Sequence, residues 1–249
     1  MKRVLLPLLA IALLIGVWDL YVHIDHVNSY DMPAPTQVAR ALYDDRSTLW
    51  SNFLVTAQEI IFGITVAALT ALVAAFTMHL STTARLALYP PLVVSQAIPV
   101  VLLAPLFVLW LGFGLLPKLL VIALVSFFPL VVTTTAALQR VDPNLQKLMK
   151  TLGASRLQTF RTVELPAALP GLFPGAKLAA VFSVIGAVFA EQQGSTSGLG
   201  YLLMITQNNL QLPEAYAAVA ILSAFAVALF AVLTVIERRA LPWAYHPGR

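Results

Sequence analysis

Apolar residues gather along this chain in six long stretches, near 4–22, 53–78, 86–111, 119–138, 172–190 and 215–236. At about 1.5 Å of rise per residue, roughly 20 residues in a helix cover the ~30 Å hydrocarbon core of a bilayer. Each stretch is long enough to do so. Backbone N–H and C=O groups find no partner in lipid, so helices that satisfy their own hydrogen bonds are the default way across. The third stretch carries Pro90, Pro91, Pro99 and Pro105 and is predicted to be kinked or broken. The pattern shows no internal repeat and no low-complexity tract.

The opening, MKRVLLPLLAIALLIGVWDL, begins like a secretion signal, with Lys2 and Arg3 before an apolar run. Trp18, Asp19 and Tyr21 follow that run where the small residues of a cleavage site would stand. It reads as an uncleaved first span. Composition agrees, because 59% of the 249 residues are hydrophobic and only 10% are charged, too few to cover a soluble domain. The predicted fold is therefore all-α, a polytopic helical membrane protein whose six spans form a single domain over 1–249. The sequence has no cysteine, which excludes disulfides and thiolate metal sites.

The net charge of +4 first suggests nucleic acid, but the basic residues follow the spans instead. With the N-terminus in the cytoplasm, eleven of the fifteen Lys and Arg residues fall in cytoplasmic segments, among them Arg85, Arg140, Lys150 and Arg238. Arg40, Arg46 and Lys118 fall on the other side, and Lys177 lies inside the fifth span. Such a bias sets orientation by the positive-inside rule, with both termini cytoplasmic, and it accounts for the charge without a nucleic-acid partner.

The longest cytoplasmic loop, about 139–170, reads as two short amphipathic helices. Asp142 is placed to cap the first, with Pro143 in its first turn. Leu145, Leu148, Met149 and Leu152 recur at helical spacing, and Gly153 follows as a stop. Ser155 and Gln158 have capping-box spacing for the second. Leu157, Phe160 and Val163 line its apolar side, and Pro166 is expected to end it. An apolar stripe with basic flanks fits a helix lying on lipid headgroups, and equally one inserted into a partner's groove.

The loop resembles the signature of bacterial ABC-importer permeases, a Glu-Ala-Ala triplet with a Gly at fixed distance and then Ile-x-Leu-Pro. Gly153, nine intervening residues, then Val163, Glu164, Leu165 and Pro166 match that spacing. The run TLGASRLQTFRTVELPAALPG is similar to the branch that transports nitrate, sulfonates, taurine and thiamine-precursor pyrimidines. MPAPTQV, QAIPVVLLAPLFVLWLGFG, FFPLVVTT and AEQQGSTSGLGYLL extend the likeness over nearly the whole chain. The triplet positions here are Lys147, Leu148 and Met149, so a base replaces the family's acid.

The resemblance implies a bacterial inner-membrane permease that pairs with a second copy and with two separate ATPase subunits on the cytoplasmic face. A solute-binding protein would deliver substrate from outside. The two loop helices, 145–152 and 157–163 turning at Gly153, would be the lever moved by the ATPases, with Leu165 and Pro166 in its signature. ATP and Mg would sit on the partner, since this chain has no Gly-Lys-Ser/Thr phosphate loop and no cofactor of its own is expected. Substrate choice would rest mainly with the binding protein. The C-terminal ERRALPW leans toward a thiamine-precursor pyrimidine, with a sulfonate or nitrate next.

Other polar positions carry weaker signals. Ser95 and Gln96, mid-membrane in the bent third stretch, are candidates to line the path or to bond between helices. Glu191, at the outer end of the fifth span, is a path candidate or a solvated helix-end carboxylate. Asp19, Glu59 and Lys177 sit near span ends and are expected to snorkel. His23, Asp25 and His26 could suggest a metal, but no further ligand pattern supports one. GSTSGLG at 194–200 lacks the lysine of a phosphate loop and reads as a turn. A secondary transporter would be expected to carry a buried acidic relay near the midplane, and a membrane enzyme a catalytic cluster; neither is visible in the sequence.

Overall fold

The computed structural model describes residues 2–24, 28 and 31–245. Among them are α1 (Lys2–Ile24), α2 (Pro35–Asp44), α3 (Arg46–Leu80), α4 (Thr82–Ser95), α5 (Val100–Leu111) and α6 (Leu115–Gln139). Then follow α7 (Pro143–Thr151), α8 (Arg156–Thr159), a π turn (Phe160–Glu164), α9 (Leu165–Gly194), α10 (Leu199–Asn208), α11 (Leu212–Ala240) and α12 (Pro242–Tyr245). No strand occurs among the described residues. Four helical segments are long and apolar enough to cross a membrane: Arg46–Leu80, Leu115–Gln139, Arg156–Gly194 and Leu212–Ala240. Shorter apolar stretches are Leu9–Ile24 within α1 and Leu102–Leu111 within α5.

The six stretches read from the sequence fall on α1, α3, the pair α4–α5, α6, α9 and α11. The third is two helices. After α4, the N–H groups of Gln96, Ala97 and Ile98 turn to carbonyls three residues back, at 3.0–3.2 Å. Pro99 has no N–H to continue the ladder and starts α5 instead. The helices α2 and α10 lie in segments that the apolar pattern leaves unassigned.

Pro166 does not end the second loop helix. The chain passes from α8 through the π turn into α9 as one element, with Leu165 N–H bonding to Phe160 C=O five residues back. Pro166 would clash with the carbonyl four residues before it in a regular helix. The widened turn just ahead of it makes room for its ring. The fifth apolar helix accordingly begins well before residue 172.

The chain forms two compact units. The first comprises residues 1–57 and 195–224. Here the chain preceding α10 is held by α3: Asn52 Oδ1 accepts from Gly198 N–H at 2.7 Å and Thr56 Oγ1 from Leu199 N–H at 2.8 Å. The turn GSTSGLG therefore spends on α3 the N–H groups that a phosphate loop would aim at a ligand. Trp18 of α1 lies against Tyr216 of α11, ring centroids 5.9 Å apart.

The second unit comprises residues 58–194 and 225–249, and α6 packed on α9 is its centre. Small residues let these backbones approach, as membrane helices need where lipid supplies no hydrophobic contrast. A Cβ on Gly186 would lie 2.5 Å from Val125 Cγ2, and one on Gly175 only 1.8 Å from Thr133 Oγ1. Ser126 Oγ also donates to the Ala179 carbonyl at 3.2 Å. On α3, Ala67, Ala71, Ala75 and Met78 form a buried stripe packed with Leu130, Val131 and Ala179.

Candidate functional site

The link from α6 to α9 is a turn built by local rules. Asp142 caps α7, its Oδ1 accepting from Asn144 N–H at 2.8 Å. At the far end Ala154 N–H bonds Met149 C=O at 3.0 Å and Gly153 N–H bonds Lys150 C=O at 3.1 Å. That bond pair is a Schellman motif, and Gly153 takes the left-handed conformation it needs, at φ 76°. Ser155 then starts α8 with a reciprocal cap: its Oγ accepts from Gln158 N–H, and Gln158 Oε1 accepts from Ser155 N–H.

The apolar residues of this turn divide into two sets. Leu145, Leu148, Leu152 and Leu157 are exposed, and Met149 is half-buried. Phe160 is buried instead, edge-on to Phe76 of α3 with ring centroids 5.3 Å apart. Val163, Leu165 and Pro166 are half-buried where the π turn enters α9. Among the described residues nothing covers these leucines. Between α7 and α8 lies a groove of about 270 Å³ lined by Lys147, Lys150, Arg156, Pro143, Gln146, Ala154 and Thr159. Its three cations make the groove basic.

The acids and bases inside the helices behave differently from their expected snorkelling. Glu59 and Lys118, both buried, are hydrogen-bonded to each other between α3 and α6. Lys177 of α9 reaches Glu237 of α11 at 2.5 Å. Glu59 and Lys118 are buried and the Lys177–Glu237 pair largely covered, and pairing answers the charge there. Glu191 is fully buried, so the solvated helix-end reading is corrected. Gly186 against Ile122 sets the register of antiparallel α9 and α6, which brings Glu191 to the level of Lys118. His23 Nδ1 lies 2.8 Å from the backbone carbonyl of Asp19 on its own helix and 3.6 Å from its Oδ1, while Asp25 and His26 lie outside the described residues.

Ser95 donates to the Leu92 carbonyl of its own helix at 2.8 Å, and Gln96 is exposed where α4 breaks. A second cavity, about 370 Å³, lies between α6 and α9 with Thr133, Arg140, Ala167 and Gly171 in its wall. A third polar pair joins residues that spacing in the sequence does not connect. His79 Nε2, near the end of α3, lies 2.6 Å from Oε2 of Glu164, the last residue of the π turn. In the sequence Glu164 figures only as a member of the signature, and an acid inside TVELPAAL is the available sign of a buried partner.

The family described as "Binding-protein-dependent transport system inner membrane component" matches residues 60–242. The chain belongs to that family. A probable ABC transporter permease protein of Haemophilus influenzae is 34% identical over 92% of this chain and 93% of its own. A formylaminopyrimidine transport permease protein of Halalkalibacterium halodurans is 32% identical over 95% of each. A crystal structure of an amino acid ABC transporter with histidines superposes with a TM-score of 0.65, covering 80% of this chain and 96% of that one. At 19% identity it speaks for the fold alone. As an inner-membrane component, the chain is a multi-pass ABC permease, a transport subunit and not a catalytic one. Membership implies an ATPase and a solute-binding protein as partners.

Proposed function

We propose that this chain forms the translocation path of an ATP-driven importer and that the α7–Gly153–α8 turn couples it to a separate ATPase. One observation carries the reading: Leu145, Leu148, Leu152 and Leu157 stand exposed on a doubly capped turn that continues without a break into α9. A capped turn resists bending, and an apolar stripe with no cover suits a partner's groove. The turn faces the cytoplasm, as do both termini, which follows from the excess of Lys and Arg on that side. The ATPase holds the ATP and Mg, closes on nucleotide and pushes the turn. A second copy of the permease completes the path across the lipid bilayer, and a binding protein supplies the solute from the other face.

The solute is a small heteroaromatic such as a thiamine-precursor pyrimidine, in keeping with the formylaminopyrimidine permease among the relatives. A sulfonate or nitrate is the second reading. Uptake into proteoliposomes holding permease, ATPase and binding protein tests both points. Expected is uptake of formylaminopyrimidine that needs internal ATP and survives a protonophore. Uptake that persists without nucleotide and collapses with the protonophore overturns the coupling.

A further inference from the structure

The π turn is fastened to α3 at both of its ends, and nothing in the transport reading requires this. Ahead of it, Arg156 Nη2 donates to the carbonyl of His79 at 3.3 Å. At its last residue, Glu164 Oε2 meets His79 Nε2 at 2.6 Å, with Glu164 fully buried and the His79 side chain nearly so. At its first residue, Phe160 packs on Phe76 and lies 5.9 Å from the His79 ring. Three contacts of different kinds thus converge on the end of α3.

A π turn is the point in a helix where regular bonding is interrupted and where bending concentrates. Here it stands between α8 and α9. A push on α8 would be absorbed at this joint unless something stiffened it. A buried polar pair is also a poor choice for stability alone, since apolar residues of similar volume commonly serve a buried site as well. The second oxygen of Glu164, Oε1, is buried with no hydrogen-bond partner, so the pair is not optimised as packing.

We propose that His79 and Glu164 are positioning residues that lock the π turn to α3, so that displacement of the α7–α8 turn is delivered to α3 together with α9. The lock rests on reading α7–α8 as the ATPase-coupling element. Without it, the joint yields and hydrolysis proceeds with less transport. Its role is mechanical, and neither residue touches solute.

The test uses the whole transporter in proteoliposomes, with its ATPase and binding protein, and reads solute imported per ATP hydrolysed. Glu164→Gln keeps volume and one acceptor; His79→Ala removes the partner. Each is expected to retain ATPase co-purification and hydrolysis within about two-fold while transport per ATP falls about five-fold. The double variant should be no worse than His79→Ala alone, because both changes act on one interaction. The exchange His79→Glu with Glu164→His should recover more than half of the lost coupling. Unchanged transport per ATP in both single variants overturns the lock. If Glu164→Gln does not fold, the exchanged pair decides: a folded, uncoupled exchange overturns the proposal, and a folded, coupled one supports it. Failure of the unaltered permease to bind its ATPase would instead sink the coupling reading on which the lock depends.

Discussion

Lys177 on α9 and Glu237 on α11 hold Nζ and Oε2 2.5 Å apart, with the same ammonium 5.4 Å from the ring centroid of Phe230. The ammonium has a carboxylate and an aromatic face, and both side chains are largely covered. Removing Glu237 leaves the largely covered Lys177 ammonium without this carboxylate. We expect Glu237→Ala to cost roughly 3 kcal/mol, and Lys177→Met with Glu237→Leu to stay within about 1 kcal/mol of the natural protein. Thermal unfolding in detergent reads both. An equal loss in the single and double variants would show that the site needs these two charges for themselves.

Close approach of α6 and α9 at Gly186 gives a second expectation. A methyl group there meets Val125 Cγ2 at 2.5 Å and the Ile122 backbone at a looser 3.2 Å. Gly186→Ala is predicted to destabilise by about 1–3 kcal/mol through overpacking, and Val125→Ala in the same chain to return most of it. The melting temperatures of the single and double variants check this. No rescue would place the obstruction in the backbone instead.

Much of this was legible because the bilayer imposes long apolar periods, and because caps and glycine stops are local. Asp142, Gly153 and the Ser155–Gln158 pair act within a few residues of chain, so spacing alone located them. Pro166 misled for the opposite reason. Its effect depends on the turn before it, and a π turn leaves no mark in the hydrophobic pattern. Glu59 with Lys118, Lys177 with Glu237 and His79 with Glu164 are 59, 60 and 85 residues apart. Pairing over such distances follows from how helices pack, so each acid or base looked like a separate residue near a span end.

Leu210 follows α10 at φ 59°, the one described residue other than glycine with a positive φ. Gln211 N–H bonds Thr206 C=O and Leu210 N–H bonds Gln207 C=O, so it occupies the place glycine takes in a Schellman motif. Its side chain is mostly exposed and loses little if removed. Leu210→Gly is therefore expected to stabilise by about 1 kcal/mol, the left-handed strain outweighing glycine's extra freedom when unfolded. A lower melting temperature would mean that the leucine contributes contacts greater than the strain.

Gly153 is the counterpart in the loop. A Cβ there meets nothing within 4 Å, so backbone conformation alone decides what it tolerates. Gly153→Val should cost about 1–2 kcal/mol and redirect α8, leaving insertion intact but separating hydrolysis from transport. Gly153→Asn should retain coupling, since asparagine accepts the left-handed region. Uptake per ATP compared between the two variants tests the point. Normal coupling with valine would move the bend elsewhere.

If α7 docks on the ATPase as proposed, the base at position 147 constrains the groove that receives it. An acid at this place would suit a basic groove, whereas Lys147 would be repelled by one, and like charges at a desolvated contact cost several kcal/mol. Lys147 is exposed and shares its groove with Lys150 and Arg156, so removing it leaves two cations in place. Leu148, exposed near the middle of α7, belongs instead to the apolar stripe with Leu145, Leu152 and Leu157. Docking by apolar burial then makes opposite demands on neighbouring residues. Lys147→Ala should change ATPase association by less than about 1 kcal/mol, as an exposed charge does. Leu148→Asp should abolish it, because a carboxylate forced into an apolar groove loses its water without gaining a partner. Co-purification of the ATPase with each variant separates the cases. Were Lys147→Ala to release the ATPase while Leu148→Asp kept it, docking would run through an ion pair at position 147 and the leucine stripe would face something else.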